Sequence, residues 1–112
     1  PTQSTGHVLR VSQGSYDSLS GQTGVVVWNS SLLLTRLLDV LHSHDPTFLS
    51  SQRTILELGC GAGLTSLAVH DMIQHHLHGG KEEAFPRILA TDGNPQVVQL
   101  AKQTMQLNRA DG

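Results

Sequence analysis

The chain has 112 residues, 38% of them hydrophobic and 14% charged, with a formal net charge of -2. That length suffices for one small domain with a modest core, and the composition excludes a disordered segment. The seven Lys and Arg residues are scattered, so neither a nucleic acid nor an anionic membrane surface is expected as a partner.

Taken in chain order, His7 to Val11 alternate imperfectly between apolar and polar side chains and predict a short edge strand. Residues 12–24 supply turns, with bends at Gly14, Gly21 and Gly24. Val25-Val26-Val27-Trp28 is a β-branched apolar run that suits a buried extended segment. A helix follows, capped by Asn29 or Ser30, with Leu33, Leu34, Leu37, Leu38 and Leu41 on one face. It ends before Pro46, which cannot continue the ladder. Residues 54–58 predict a buried parallel strand, and residues 64–74 an amphipathic helix. Residues 75–84, rich in His and Gly, read as an exposed loop. A second strand over 87–91 ends at Asp92. Asn94-Pro95 then opens a helix as cap and first residue, with Val97, Val98, Ala101 and Met105 inward. Strand, glycine loop, helix, strand, acid, helix is the order of a βαβα unit, so the fold expected is α/β with a parallel sheet.

The chemistry is expected in Glu57-Leu58-Gly59-Cys60-Gly61-Ala62-Gly63. Gly59 and Gly61 can adopt positive φ, or leave room where a side chain would meet a bound nucleoside. The helix that begins near Gly63 turns free amide hydrogens and its positive dipole end toward such a ligand. Asp92, at the end of the next strand, can accept hydrogen bonds from both ribose hydroxyls. A dinucleotide enzyme shares this architecture, but its fingerprint is Gly-x-Gly-x-x-Gly. Here the third glycine falls one residue early, and Leu64 takes its place. Glu57 would repel a pyrophosphate and suits a cofactor with a cationic aminoacyl end. A dinucleotide enzyme and a glycine turn without ligand remain as the competing readings.

Residues 57–64 resemble motif I of class I, seven-stranded methyltransferases that use S-adenosylmethionine. Thr23-Gly24-Val25-Val26-Val27-Trp28, together with Ala90-Thr91-Asp92-Gly93-Asn94 and Leu107-Asn108, is similar to methyltransferase family 16. That family contains protein-lysine methyltransferases. The resemblance runs from Gly24 to Asn108, interrupted by the His-rich loop. It implies a Rossmann-like sheet and S-adenosylmethionine as cofactor. It also implies a cofactor site made of Trp28, Glu57, Gly59, Cys60, Gly61, Gly63, Asp92 and Gly93. Trp28 would fold over the methionine end, Glu57, Gly59 and Gly61 would lie near the aminoacyl moiety, and Asp92 would hold the ribose. On composition alone Trp28 is a core aromatic. The implied partner is a protein substrate offering a lysine. A module that binds the cofactor without transferring methyl, and a methyltransferase with a non-protein acceptor, are the alternatives.

Other features are weaker. His70, His75, His76 and His78 do not have the spacing of a metal site, and no metal is expected. Cys60 has no positioned base and reads as a small loop residue, not a nucleophile. As a single cysteine it suits a reducing compartment. No apolar run reaches the ~20 residues of a membrane span, so a cytoplasmic location is expected, with the nucleus as a second compartment. The leucine-rich helix is expected to pack on the sheet. Residues 1–28 read as an extension with short strands, and residues 29–112 as a partial cofactor-binding unit. With Pro1 first and Gly112 last, the chain reads as a piece of a longer polypeptide that carries the N-terminal part of the Rossmann-like sheet. No catalytic residue is assigned, and these residues alone are expected not to turn over.

Overall fold

The computed structural model describes residues 3–13, 29–77 and 85–109. They form α1 (Asn29–His44), α2 (Thr47–Ser50), β1 (Thr54–Leu58), α3 (Leu64–Leu77), β2 (Arg87–Thr91) and α4 (Pro95–Asn108). The turn glycines 14, 21 and 24, the run ending at Trp28, and His78 lie outside the described residues.

β1 and β2 pair in parallel, in register from Thr54 opposite Arg87 to Leu58 opposite Thr91. A parallel pair requires a crossover of a dozen residues or more, and α3 lies within it. One further bond extends the pairing at each end. Arg87 N donates to Arg53 O at 2.9 Å, and Cys60 N donates to Thr91 O at 2.8 Å.

The core gathers on α3. Eight of its fourteen residues are buried, so it is wrapped on most sides and is not the one-faced amphipathic helix expected. Leu64, Leu67, Ala68, Val69, Met72 and Ile73 join Leu9 and Leu49 in one cluster, with Ile55, Ile88 and Met105 packed against it. The helix also runs through His75, His76 and Leu77, three residues into the segment read as a loop. Leu77 packs on the core, and two histidines in the last turn suit the negative end of the helix dipole.

Two burial expectations are corrected. β1 is not buried on both faces: Ile55 and Glu57 are half-buried, whereas Leu56 and Leu58 are 56% and 78% exposed. Leu89 of β2 is likewise exposed. The second correction concerns α1, whose main packing partner among the described elements is α3 and not the sheet. Its leucines at 33, 34, 37 and 41 are exposed, while Thr35 and His42 are buried and Leu38 touches the core. The apolar period was right and the face was wrong. Thr35 meets Thr65 in the seam, Oγ1 to Oγ1, at 3.2 Å.

The seam has a consequence for stability. His42 is 6% exposed, its Nδ1 has no hydrogen-bond partner among the described residues, and its ring stands edge-on to that of His76 at 6.0 Å. Burial lowers its pKa, helped by His76 and His75 and opposed by Asp39. A histidine whose folded pKa lies below its unfolded value binds fewer protons when folded, so stability falls as pH drops below the unfolded value of about 6.5. Burial shifts His70 in the same direction. Urea midpoints are therefore expected to fall between about pH 7.5 and about pH 5.5, and less steeply in His42→Leu. Equal slopes in the two proteins would remove His42 as the cause.

The N-terminal residues do not form the expected edge strand. A single bridge at Val8 is all the sheet pairing between residues 3 and 13. Side chains of the helices hold this segment instead. Gln3 Nε2 donates to Ala68 O and Asp71 Oδ2, and Thr5 Oγ1 donates to Asp71 Oδ2. His7 Nδ1 contacts Asp71 Oδ1. Ser4 donates from its amide and hydroxyl to the Asp39 carboxylate. Further on, Asn108 of α4 accepts from Arg10 N at 2.7 Å and donates to Arg10 O, as a neighbouring strand would. Ser12 N donates to Thr104 Oγ1 at 2.9 Å.

Candidate cofactor site

The parallel strands end side by side, so the loop after β1 and the acid after β2 meet at one edge of the sheet. The loop is shaped by three glycines in the left-handed region: Gly59 at φ 66°, Gly61 at φ 55° and Gly63 at φ 91°. Cys60 is latched to Thr91 at its amide, and Gly63 N then donates back to Cys60 O at 3.0 Å, closing a tight turn. Gly63 O accepts from Leu67 N at 3.0 Å, which starts α3 directly from that turn.

Asp92 joins the loop to the following helix. Its Oδ2 accepts from Gly61 N at 3.2 Å and its Oδ1 from Asn94 N at 3.0 Å. Each carboxylate oxygen has two lone pairs, so the group can still accept from ligand hydroxyls. Asn94 caps α4 as expected, its Oδ1 accepting from Gln96 N at 2.9 Å with Pro95 in the first turn. Among the described residues, a methyl built on Gly59 or on Gly93 would meet no atom within 4 Å, which leaves space beside both strand ends.

Glu57 lies on the half-buried face of β1. Its Oε1 accepts from Ser66 Oγ at 2.6 Å. Burial raises its pKa, while the Ser66 hydroxyl and backbone amide act in the opposite direction. Thr91 Oγ1 donates to the Glu57 carbonyl at 2.8 Å and ties the two strand ends together.

Of the residues singled out in the sequence, Glu57, Gly59, Cys60, Gly61, Gly63, Asp92 and Gly93 share this edge. Trp28 lies outside the described residues. Gly63 has a role the sequence did not suggest: the last residue of the loop lies directly against Ala101 and Met105 of α4, with no room for a side chain. Ser66, Thr91 and Asn94 also belong to the site. Only Asn94 carried a local signal, as a cap. The histidines are dispersed: His75 stands edge-on to His7, and His70 tilts against Phe85. Among the described residues no group of three or more His, Cys, Asp or Glu side chains is arranged to hold a metal ion.

Cys60 is buried. Burial, then the charges of Glu57 and Asp92, push its thiol up to about 11. Roughly one molecule in a thousand would carry the thiolate at about pH 8, too few for a nucleophile. Iodoacetamide at that pH is expected to alkylate the folded chain roughly a hundredfold more slowly than the chain in urea. Equal rates would contradict the burial and charge assigned to this thiol.

A parallel βαβα unit with a glycine loop at the end of one strand and an acid at the end of the next is a nucleoside-binding unit of the Rossmann-like class. The model of the lysine methyltransferase family matches residues 4–111, and the chain belongs to that family of methyltransferases. The resemblance to methyltransferase family 16 is thereby borne out, and the dinucleotide reading falls away. The methyl donor of this class is S-adenosylmethionine. No curated protein and no solved structure matches the chain.

Proposed function

We propose that the loop after β1 and Asp92 bind S-adenosylmethionine, and that the methyl acceptor is a lysine side chain of a protein. The observation that carries the reading is the Asp92 carboxylate, fixed beside the glycine loop by the Gly61 amide. There it can accept from both ribose hydroxyls while keeping the loop in place. The residues present fit the cofactor. Open space beyond Gly59 and Gly93 admits a nucleoside next to the backbone, and Glu57 sets a carboxylate on the side suited to a cationic aminoacyl group.

When bound, the cofactor supplies an activated methyl group. The chain's own residues bind and orient: Asp92 the ribose, the backbone from Gly59 to Gly63 the aminoacyl end, and Cys60 a small side chain that keeps the loop narrow. Trp28 is assigned to the methionine end on the family resemblance. The lysine acceptor rests on the family's description and on the similarity of residues 23–28. A cytoplasmic location is part of the same proposal.

Two measurements test the reading. Calorimetry with S-adenosylhomocysteine is expected to show saturable binding to one site. Tritiated methyl from S-adenosylmethionine, offered to lysate proteins together with the full-length protein that carries these residues, is expected to appear as methyl-lysine after hydrolysis. Absence of S-adenosylhomocysteine binding would refute the cofactor assignment. Label only in nucleic acid or small molecules would refute the acceptor.

A further inference from the structure

We infer that Ser66 is a positioning residue of the cofactor site: its hydroxyl fixes the Glu57 carboxylate where it meets the cationic end of the cofactor. The inference rests on the proposed binding of S-adenosylmethionine and adds a residue to it.

Ser66 stands third in α3, one turn from the glycine loop, and is 5% exposed. A buried hydroxyl needs a partner, and serine inside a helix commonly bonds back to a carbonyl of the preceding turn. Ser66 does not. It reaches across to β1 and donates to Glu57 Oε1 at 2.6 Å, the short distance of a bond to a charged acceptor. The bond joins the helix that starts from the loop to the strand that leads into it, and so spans the base of the loop.

Glu57 needs this support. Its half-buried position disfavours the charged form, and Ser66 is the group that opposes the effect, through its hydroxyl and its amide. The first turn of α3 adds the positive end of the helix dipole. Without the hydroxyl the carboxylate would protonate more readily and could swing on its flexible stem. Either change weakens its attraction for an aminoacyl group without touching the ligand.

The test uses the full chain with S-adenosylhomocysteine as probe. Ser66→Ala is expected to weaken binding roughly tenfold, and to raise the titration midpoint of Glu57 read from its carboxyl ¹³C shift in the ligand-free protein. A merely structural role would not move that midpoint. In a Glu57→Gln background the same serine substitution should cost little further affinity. Ser66→Cys, close to serine in size and a weak donor, is expected to fall between the two and serves if the alanine variant does not fold. An unchanged Glu57 midpoint in a folded variant would overturn the inference, as would an undiminished serine effect in the Glu57→Gln background. If Glu57→Gln itself binds as the parent does, Glu57 leaves the site and the inference falls with it. The ribose contact of Asp92 would be unaffected by that result.

Discussion

Replacing Asp92 by alanine is expected to weaken S-adenosylhomocysteine binding roughly 30- to 150-fold, about 2–3 kcal/mol. Two losses combine. The ribose hydroxyls lose a charged acceptor in a half-buried setting, where such bonds are worth more than neutral ones. The glycine loop also loses its anchor, because the carboxylate holds the amides of Gly61 and Asn94 in the ligand-free protein. Those amides can turn to water, so the fold itself should lose only about 1 kcal/mol for each. Asp92→Asn separates the two contributions. It keeps one acceptor oxygen and the size of the group but not the charge, so its affinity should lie between those of parent and alanine variant. Calorimetry giving parental affinity for a folded Asp92→Ala would remove Asp92 from the site.

Gly63→Val is expected to destabilise the fold by about 3–5 kcal/mol, a large part of the stability of a domain this small. The backbone at Gly63 has φ 91°, where a β-branched residue is a true outlier. Strain of this kind costs about 1–3 kcal/mol. Space is lacking too. The first added carbon would lie 3.3 Å from Ala101 Cβ and from Met105 Cε, and 3.4 Å from Ala101 Cα. Met105 can move aside, whereas the α4 backbone at Ala101 cannot without shifting the helix, and overpacking costs about 1–3 kcal/mol more. Gly59→Val is the contrast, since its added carbon would meet nothing within 4 Å. At φ 66° it retains the backbone strain alone. Urea unfolding should therefore rank Gly63→Val well below Gly59→Val. The reverse order would mean that the contact of the loop with α4 is not what requires glycine at position 63.

The parts of this fold that were legible in the sequence are those governed by local rules. Asn94-Pro95 is a helix start by capping chemistry alone, and α4 begins there. Asp92 and the loop glycines were legible because strand, turn and acid occur at spacings that a parallel crossover imposes. The direction in which α1 faces was not legible. A leucine stripe marks an amphipathic helix, but which side meets a neighbour depends on the neighbour. Here α3 presents Thr65 to Thr35 and His76 to His42. The polar residues that finish the core were equally hidden. Gln3 and Thr104 are buried with partners 65 and 92 positions away, and Ser66 with a carboxylate on the preceding strand, and periodicity weighs a residue only by its own hydrophobicity.

The pairing of Arg10 with Asn108 joins residues 98 positions apart, and this bears on the order of folding. Contacts so far apart in sequence are made only after a long loop has closed, at an entropy cost that grows with its length. By contrast β1, α3, β2 and α4 follow one another directly, and the bonds that join their ends span 31 and 34 positions, about a third of that separation. The nucleoside edge can therefore assemble first, from consecutive elements. Residues 3–12, synthesised before these elements, must wait for α4 to provide Thr104 and Asn108 before they can settle. Until then Leu9 has left its place in the core open, and the nascent protein exposes an apolar groove along α3.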